Sequence, residues 1–328
     1  MITIKEIALK AGVAKSTVSN VLSGKKYVSP EIANKVMKMC EENDYHPNFY
    51  ASVLSSKVKT NIIGLFLEIS SDGVYKKFYS DLIQSVIKVL NKHGKSLLIY
   101  SGLDNGQTTL KMKSGKAPID GAIILSPTIN DSRIVDFKDH VIPFVIIGHP
   151  VNAINTNYVD VDNTKLTNFI ATSMIDKGFN SICLINSNKE LVISKERDYG
   201  FMCAFEGRKA TFEIKHTNST KEEAYVHAKE SLKRGTNAFI TASGIVASGV
   251  YQACKEAGKV IGKEVAVFTL GYSFDVDMEF EPSLSYAVQD YFMLGKCATE
   301  ILVDVIDGKK DVINETIDNQ IHYHDSFK

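Results

Sequence analysis

The chain has 328 residues, 44% hydrophobic and 23% charged, with a formal net charge of +0. Such a composition excludes a disordered polar segment or a fibrous repeat, and the length allows two or three domains of roughly 100–200 residues. The balance is uneven along the chain: residues 1–60 hold nine lysines, no arginine and five acids, a net +4, which leaves −4 for the remainder.

No apolar run reaches the roughly 18 residues of a membrane helix. Met1 to Lys10 lacks the apolar core of a signal peptide, so a cytoplasmic protein without a membrane partner is expected. The five cysteines (Cys40, Cys183, Cys203, Cys254, Cys297) are scattered and form no Cys-x-x-Cys pair, which predicts reduced thiols rather than a disulfide framework or a zinc site.

Thr3-Ile4-Lys5-Glu6 reads as a capping box that opens a helix. Ile4, Ile7, Ala8 and Ala11 then share one face, and Gly12 ends the helix. A second helix runs from Lys15 to Leu22, with Val18 and Leu22 inward. Ser29-Pro30-Glu31 opens a third, with serine as N-cap and proline at the first helical position. Ile32, Val36, Met39 and Cys40 make its apolar stripe, and Asp44 to Pro47 close it. Two short helices joined through a glycine turn and buried by a third make a helix-turn-helix pattern. Lys15, Ser16, Ser19 and Asn20 face outward on the second helix, where they can reach base edges and phosphates. Any three-helix bundle also has a polar outer face, so the pattern alone leaves both readings open.

Three ordered words carry a resemblance. They are Ala11-Gly12-Val13 with Thr17-Val18-Ser19, Val28-Ser29 with Val36, and Tyr45-x-Pro47-Asn48 with Ala51 and Leu54. On them the segment closely resembles the headpiece of the LacI/GalR family of bacterial regulators. The resemblance implies that Lys15, Ser16 and Asn20 read bases, that Thr17 and Ser19 contact the backbone or support the helix, and that Lys25 and Asn48 join the DNA-binding set. It implies a hinge helix over Asn48 to Ser56 with Leu54 as a minor-groove wedge. The family usually carries serine or threonine at the position of Ala14. An alanine cannot cap the second helix, a change worth on the order of 1 kcal/mol.

Beyond Asn61 apolar strand-like runs alternate with amphipathic helices. Strands are expected at Ile62–Ile69, Ser96–Tyr100, Gly121–Leu125, Phe144–Ile147, Ile182–Ile185, Ala238–Thr241 and Val265–Leu270. Helices are expected at Lys77–His93, Asn163–Lys177, Arg197–Phe205, Glu222–Arg234, Val246–Ala257 and Tyr291–Asp307. This alternation indicates parallel sheets covered on both faces, which bind ligands at the carboxyl ends of their strands. Ile119-Asp120-Gly121, Val161-Asp162-Asn163, Glu196-Arg197 with Gly200-Phe201, and Gln289-Asp290-Tyr291 with Leu294-Gly295 resemble the type I periplasmic-binding-protein fold of the same family's sensors. The expected whole is a small all-α helix-turn-helix headpiece (1–46), a hinge and linker (47–60) and an α/β two-lobed periplasmic-binding-protein-like sensor with parallel sheets (61–328). Its lobes would be roughly 61–160 plus 290–318 and 161–289 plus 319–328, with crossings near Asp160, Gln289 and Asn319. A homodimer on a double-stranded, palindromic operator follows from the resemblance.

The family implies a small-molecule effector, usually a carbohydrate, and no cofactor. Arg197 is the foremost candidate for ligand contact, because a guanidinium grips vicinal hydroxyls or a carboxylate; a surface ion pair with Glu196 or Asp198 is the plain alternative. Tyr291 is a candidate stacking platform, Gln289 a hydrogen-bonding group, and Phe78 either core or platform. Three polar groups of the usual cage are replaced, leaving Ser243-Gly244, Ser273 after Gly271-Tyr272, and Gly148. Asp162, Ser126 and His149 are candidate substitutes. These departures leave room for a non-sugar metabolite or a phosphorylated partner protein as effector. A solute-binding protein is the reading from another class. No Walker loop, Gly-x-Gly-x-x-Gly, His-Glu-x-x-His or Gly-x-Ser-x-Gly motif is present, so no enzyme is expected. His322 and His324, on one side of a strand-like tail, read as a solvated edge rather than a metal pair.

Overall fold

A computed structural model describes residues 2–23, 26–45, 59–67, 76–101, 119–271, 280–309 and 312–328. The chain divides into two compact units, Met1–Thr60 and Asn61–Lys328.

The first unit contains α1 (Ile4–Ala11), α2 (Lys15–Ser23) and α3 (Pro30–Glu42). Both halves of the capping box form: the Thr3 N–H donates to Glu6 Oε2 at 2.7 Å and the Glu6 N–H to Thr3 Oγ1 at 3.4 Å. Gly12 ends α1 at φ +60°, a left-handed cap that glycine takes without a Cβ clash. Ala14 precedes α2 and offers only its carbonyl, to the N–H groups of Thr17 and Val18. Ile7, Ala8, Ala11, Val18, Val36 and Cys40 form the buried core, with Leu22 and Met39 packed against it. Two expectations need correction. Ile32 is 36% exposed and lies outside the core cluster. Ser29 stands at the N-cap of α3 but its hydroxyl makes no capping bond; its carbonyl accepts from Ala33 instead.

The second unit runs β1 (Ile62–Leu67), α4 (Lys76–Lys92), β2 (Ser96–Ser101), β3 (Gly121–Leu125), α5 (Ser132–Asp139), β4 (Phe144–Ile147), β5 (Asn157–Val161), α6 (Asn163–Asp176), β6 (Ser181–Asn186), α7 (Val192–Cys203), β7 (Thr211–His216), α8 (Lys221–Lys233), β8 (Ala238–Thr241), α9 (Gly244–Glu256), β9 (Ala266–Thr269), β10 (Ser285–Val288), α10 (Tyr291–Ile306), β11 (Asn314–Ile317) and β12 (Gln320–His322). Two six-stranded sheets result, ordered β11-β5-β4-β3-β1-β2 and β12-β10-β9-β8-β6-β7. Every ladder is parallel except β10 with β12. The central strands are buried on both faces, as in β3 and β4, where every position is buried, whereas the edge strands β2, β7, β11 and β12 keep exposed positions. Helices α4 and α10 cover one face of the first sheet, through Leu82, Val86, Leu294 and Ala298. Helices α6 and α7 cover one face of the second, through Leu166, Ile170 and Phe201.

The chain passes between the sheets three times, from β5 to α6, from β10 to α10 and from β11 to β12. An aspartate caps the helix after each of the first two passages. Asp162 Oδ1 accepts from the Lys165 N–H at 2.7 Å and Asp290 Oδ1 from the Met293 N–H at 2.9 Å. The structure adds elements that the expected strands and helices omit, α5, β5, β7, β10 and β11, and forms the strand-like tail as β12. It also starts α7 at Val192, five residues before the Arg197 expected.

Candidate functional site

On the first unit, Lys15, Ser16 and Ser19 are exposed, and Thr17 and Asn20 half-buried, on the short helix whose Val18 faces the core. Tyr27, in the loop before α3, is 90% exposed. Lys25, Asn48 and Leu54, and with them the hinge, lie outside the described residues.

In the second unit the candidate ligand positions gather at the carboxyl ends of the strands. Arg197 is 3% exposed, and its Nη1 donates to the carbonyl of Ala242, just past β8, at 3.4 Å. A Cβ on Gly271, just past β9, would stand 3.8 Å from Arg197 Nη2 and 4.0 Å from Gln289 Oε1, so all three meet at one spot. The guanidinium is buried rather than at the surface. Asp198 turns instead to His216 Nε2 at 2.9 Å and to Asn186 Nδ2 at 2.8 Å.

Helix packing fixes Arg197 in place. A Cβ on Gly200 would fall 2.1 Å from the Thr164 carbonyl oxygen, so only glycine lets α7 lie this close to α6. Thr164 Oγ1 donates to the Glu196 carbonyl at 3.3 Å and Asn168 Nδ2 to the Gly200 carbonyl at 3.2 Å, which secures the contact on both sides.

From Arg197 a buried polar chain leads through both helical passages. The Tyr291 hydroxyl donates to Gln289 Oε1, and Gln289 Nε2 donates to Asn163 Oδ1 at 3.3 Å. Asn163 Nδ2 in turn faces Glu196 Oε2 at 3.3 Å and Asp160 Oδ2 at 3.5 Å. His149 Nδ1 lies 3.5 Å from Glu196 Oε1, and its ring sets its edge against Tyr158. Burial, then the charge of Glu196, pushes the Asp160 carboxyl up to about 7; the Val161 N–H, Arg197 and Asn163 oppose that rise. Burial also raises Glu196, against the pull of His149.

The remaining candidates divide. Phe78 lies edge-on to Tyr291 at 4.1 Å and both pack on the first core. Ser126 is exposed at φ +51° after β3. Asp162 and Ser243 are occupied as N-caps of α6 and α9. Ser273 lies outside the described residues. His322 and His324 stack on Tyr286, with centroids 5.0 and 5.4 Å away. Among the described residues no group of three or more His, Cys, Asp or Glu could hold a metal, and no helix is long and apolar enough to cross a membrane. Asp160, Asn163 and Glu196 were missed as a set. Asn163 meets Gln289 from 126 positions away, a contact that no local pattern carries.

The two lobes also touch directly. Thr128 and Leu191 form an antiparallel bridge, flanked by bonds from the Ile129 N–H to the Glu190 carbonyl at 2.9 Å and from the Val192 N–H to the Pro127 carbonyl at 3.1 Å. Asp131 holds the first of these loops, accepting from the N–H groups of Thr128 and Arg133.

Comparison with known proteins places this geometry among relatives. Residues 3–48 match the family described as bacterial regulatory proteins, lacI family, and residues 171–326 match the periplasmic binding protein-like domain. The HTH-type transcriptional regulator MalR of Streptococcus pneumoniae is 29% identical over 324 residues, 94% of each chain. The ribose operon repressor of Haemophilus influenzae is 27% identical over 322 residues, 93% of this chain and 92% of that one. Among solved structures, the lac repressor dimer bound to operator and an anti-inducer shares the fold at TM-score 0.77 and 18% identity, covering 99% of this chain and 98% of that one. The transcriptional regulator CelR–cellobiose complex does so at 0.74 and 22%, covering 99% and 100%.

Proposed function

We propose that the chain is a repressor of the LacI family, which its residues 3–48 match, and that it binds a palindromic operator as a homodimer in the bacterial cytoplasm, under the control of a sugar held between the lobes. Members of this family are transcriptional regulators rather than enzymes, and we assign no reaction to the cleft.

The observation that carries the reading is the pairing, on one chain, of two sites of opposite character. One is a short helix that turns Lys15, Ser16 and Ser19 to water over a small apolar core. The other is a guanidinium buried where β8 and β9 end. Short polar and cationic groups on a second helix suit the major groove. Strand ends facing each other across two lobes suit a small ligand. Arg197, Gln289 and Asn163 supply the donors, and Glu196 and Asp160 the acceptors, that a polyhydroxyl compound needs. The relatives that regulate maltose or ribose genes, and the one solved with cellobiose, support a carbohydrate.

Because the passages between lobes run through the same polar chain, a ligand that favours one pose of the lobes would shift operator affinity. Linkage requires the operator to shift ligand affinity by the same factor. Fluorescence anisotropy of a labelled palindromic duplex with a central C-G step, with and without mono- and disaccharides, tests the proposal. A salt-sensitive isotherm with two protomers per duplex, moved by one sugar, is expected. Equal binding to random duplex, unmoved by any compound, would remove it.

A further inference from the structure

On the side of the cleft away from the three passages, main chain meets main chain across the lobes. Thr128 and Leu191 pair as an antiparallel bridge, with the Ile129 N–H donating to the Glu190 carbonyl at 2.9 Å and the Val192 N–H to the Pro127 carbonyl at 3.1 Å. The first segment follows β3 and the second follows β6. In the sheet orders β3 stands two strands from β5, and β6 three strands from β10. At about 4.8 Å per strand, the contact lies about 10 and about 14 Å along the sheets from the passages that leave β5 and β10. Each segment is shaped by its own lobe. Pro127 Cδ would lie 2.8 Å from a Cβ on Gly148, whose φ of +121° also suits glycine. Buried Asp131 accepts from the N–H groups of Thr128 at 3.2 Å and Arg133 at 3.0 Å. In the second lobe Asn188 Oδ1 accepts from the Glu190 N–H at 3.0 Å, and buried Asn186 ties Asp198 to the Ser194 carbonyl.

We propose that these two segments form a latch, which holds the lobes in one pose from the side opposite the passages and parts when that pose is given up. The inference rests on the reading of lobe pose as the control of operator binding. A main-chain hydrogen bond that water can replace shifts an equilibrium by about two- to tenfold, so a pair of them biases a pose without fixing it. A ligand whose affinities for the two poses differ by more than that reverses the bias. The latch also shares a helix with the foremost ligand candidate. Val192 is the first residue of α7, and Arg197 stands on its second turn. A ligand that draws on Arg197 therefore acts on the helix that starts in the latch.

Val192→Pro deletes one of the two bonds and suits the helix. Proline is at home at a first helical position, and Leu191, at φ −79° and ψ 139°, has the extended backbone that precedes it. Val192→Ala trims the side chain and keeps the N–H. Hydrogen exchange of the full-length protein reads the other bond. The Ile129 amide should exchange about tenfold faster in Val192→Pro than in the wild type, and at the wild-type rate in Val192→Ala. A lock tests the opposite direction. Thr128 and Leu191 are a bridge pair without mutual hydrogen bonds, whose α-carbons stand about 4.5 Å apart, within reach of a disulfide. Four native cysteines are buried and Cys203 is half-buried, so a Cys203→Ser background serves. There Thr128→Cys with Leu191→Cys should cross-link on oxidation. The oxidised protein and Val192→Pro should then differ at least about tenfold in affinity for the palindromic duplex, and reduction should release the lock. An Ile129 amide unprotected in the wild type, or no cross-link on oxidation, overturns the latch and leaves the repressor reading standing. Equal duplex affinity in the locked and Val192→Pro forms does the same. If the wild type prefers no palindromic duplex to random DNA, the repressor reading falls and the latch, with no operator binding to govern, falls with it.

Discussion

The headpiece keeps six residues as its buried core, whereas the body sets four hydrophobic clusters against two six-stranded sheets. The candidate recognition groups of the two differ in the same way. Lys15, Ser16 and Ser19 stand in water on the headpiece, while Arg197, Gln289 and Asn163 are buried in the body. Groups that reach a partner from the surface can change without disturbing the scaffold. Buried polar groups cannot, because each is also part of the packing. Specificity in the headpiece is therefore separable from stability, and in the body the two are joined.

The largest test strikes the thin core. Val18→Asp buries a charge against Ile7 and Val36 and should unfold the headpiece, so specific operator binding in an anisotropy titration should vanish. The melting transition of the body should stay where it was; a shift there would dissolve the contrast.

The second test addresses the buried carboxylate. Asp160 holds its proton more tightly folded than unfolded, rising from 3.8 to about 7. Folding is therefore unpenalised at low pH, and the penalty grows as pH rises from about 4 to 7, where it reaches its full size. Asp160→Asn should melt with the wild type at pH 4 and above it at pH 8, by up to about 4 kcal/mol. Coincident melting at both values would separate Asp160 from the stability of the body.

A smaller effect is expected at Lys15. Lys15→Ala should lower operator affinity by about 1–3 kcal/mol with the melting curve unchanged. A lowered melting point would make Lys15 part of the scaffold. The smallest effect is at the capping box, where Thr3→Ala should cost on the order of 1 kcal/mol, read in the headpiece transition alone.

The same contrast explains what could be read in advance. Strands buried on both faces, such as Gly121–Leu125 and Phe144–Ile147, announce themselves as unbroken apolar runs. Strands with water or polar side chains on one side do not: β5 reads Asn-Tyr-Val-Asp-Val, and the edge strands β7 and β11 carry Glu213 and Glu315 within them. Helix α7 was read short because Leu191 offers no capping side chain to mark its start. Ile32 fits the apolar period of α3 but stands outside the bundle, since periodicity names a face and not what covers it. Arg197 was named as a candidate through family resemblance. Its neighbours Asp160 and Asn163 come to it only when the two lobes are assembled.

Gly200 carries the final consequence. It sits one turn along α7 from Arg197, pressed on the backbone of Thr164. Any side chain there would lever the helix outward and take the guanidinium with it. If Arg197 holds the signal as proposed, a genetic screen for repressors deaf to it should return this position repeatedly. A lineage that loses the glycine would have to find another signal before it could drift further.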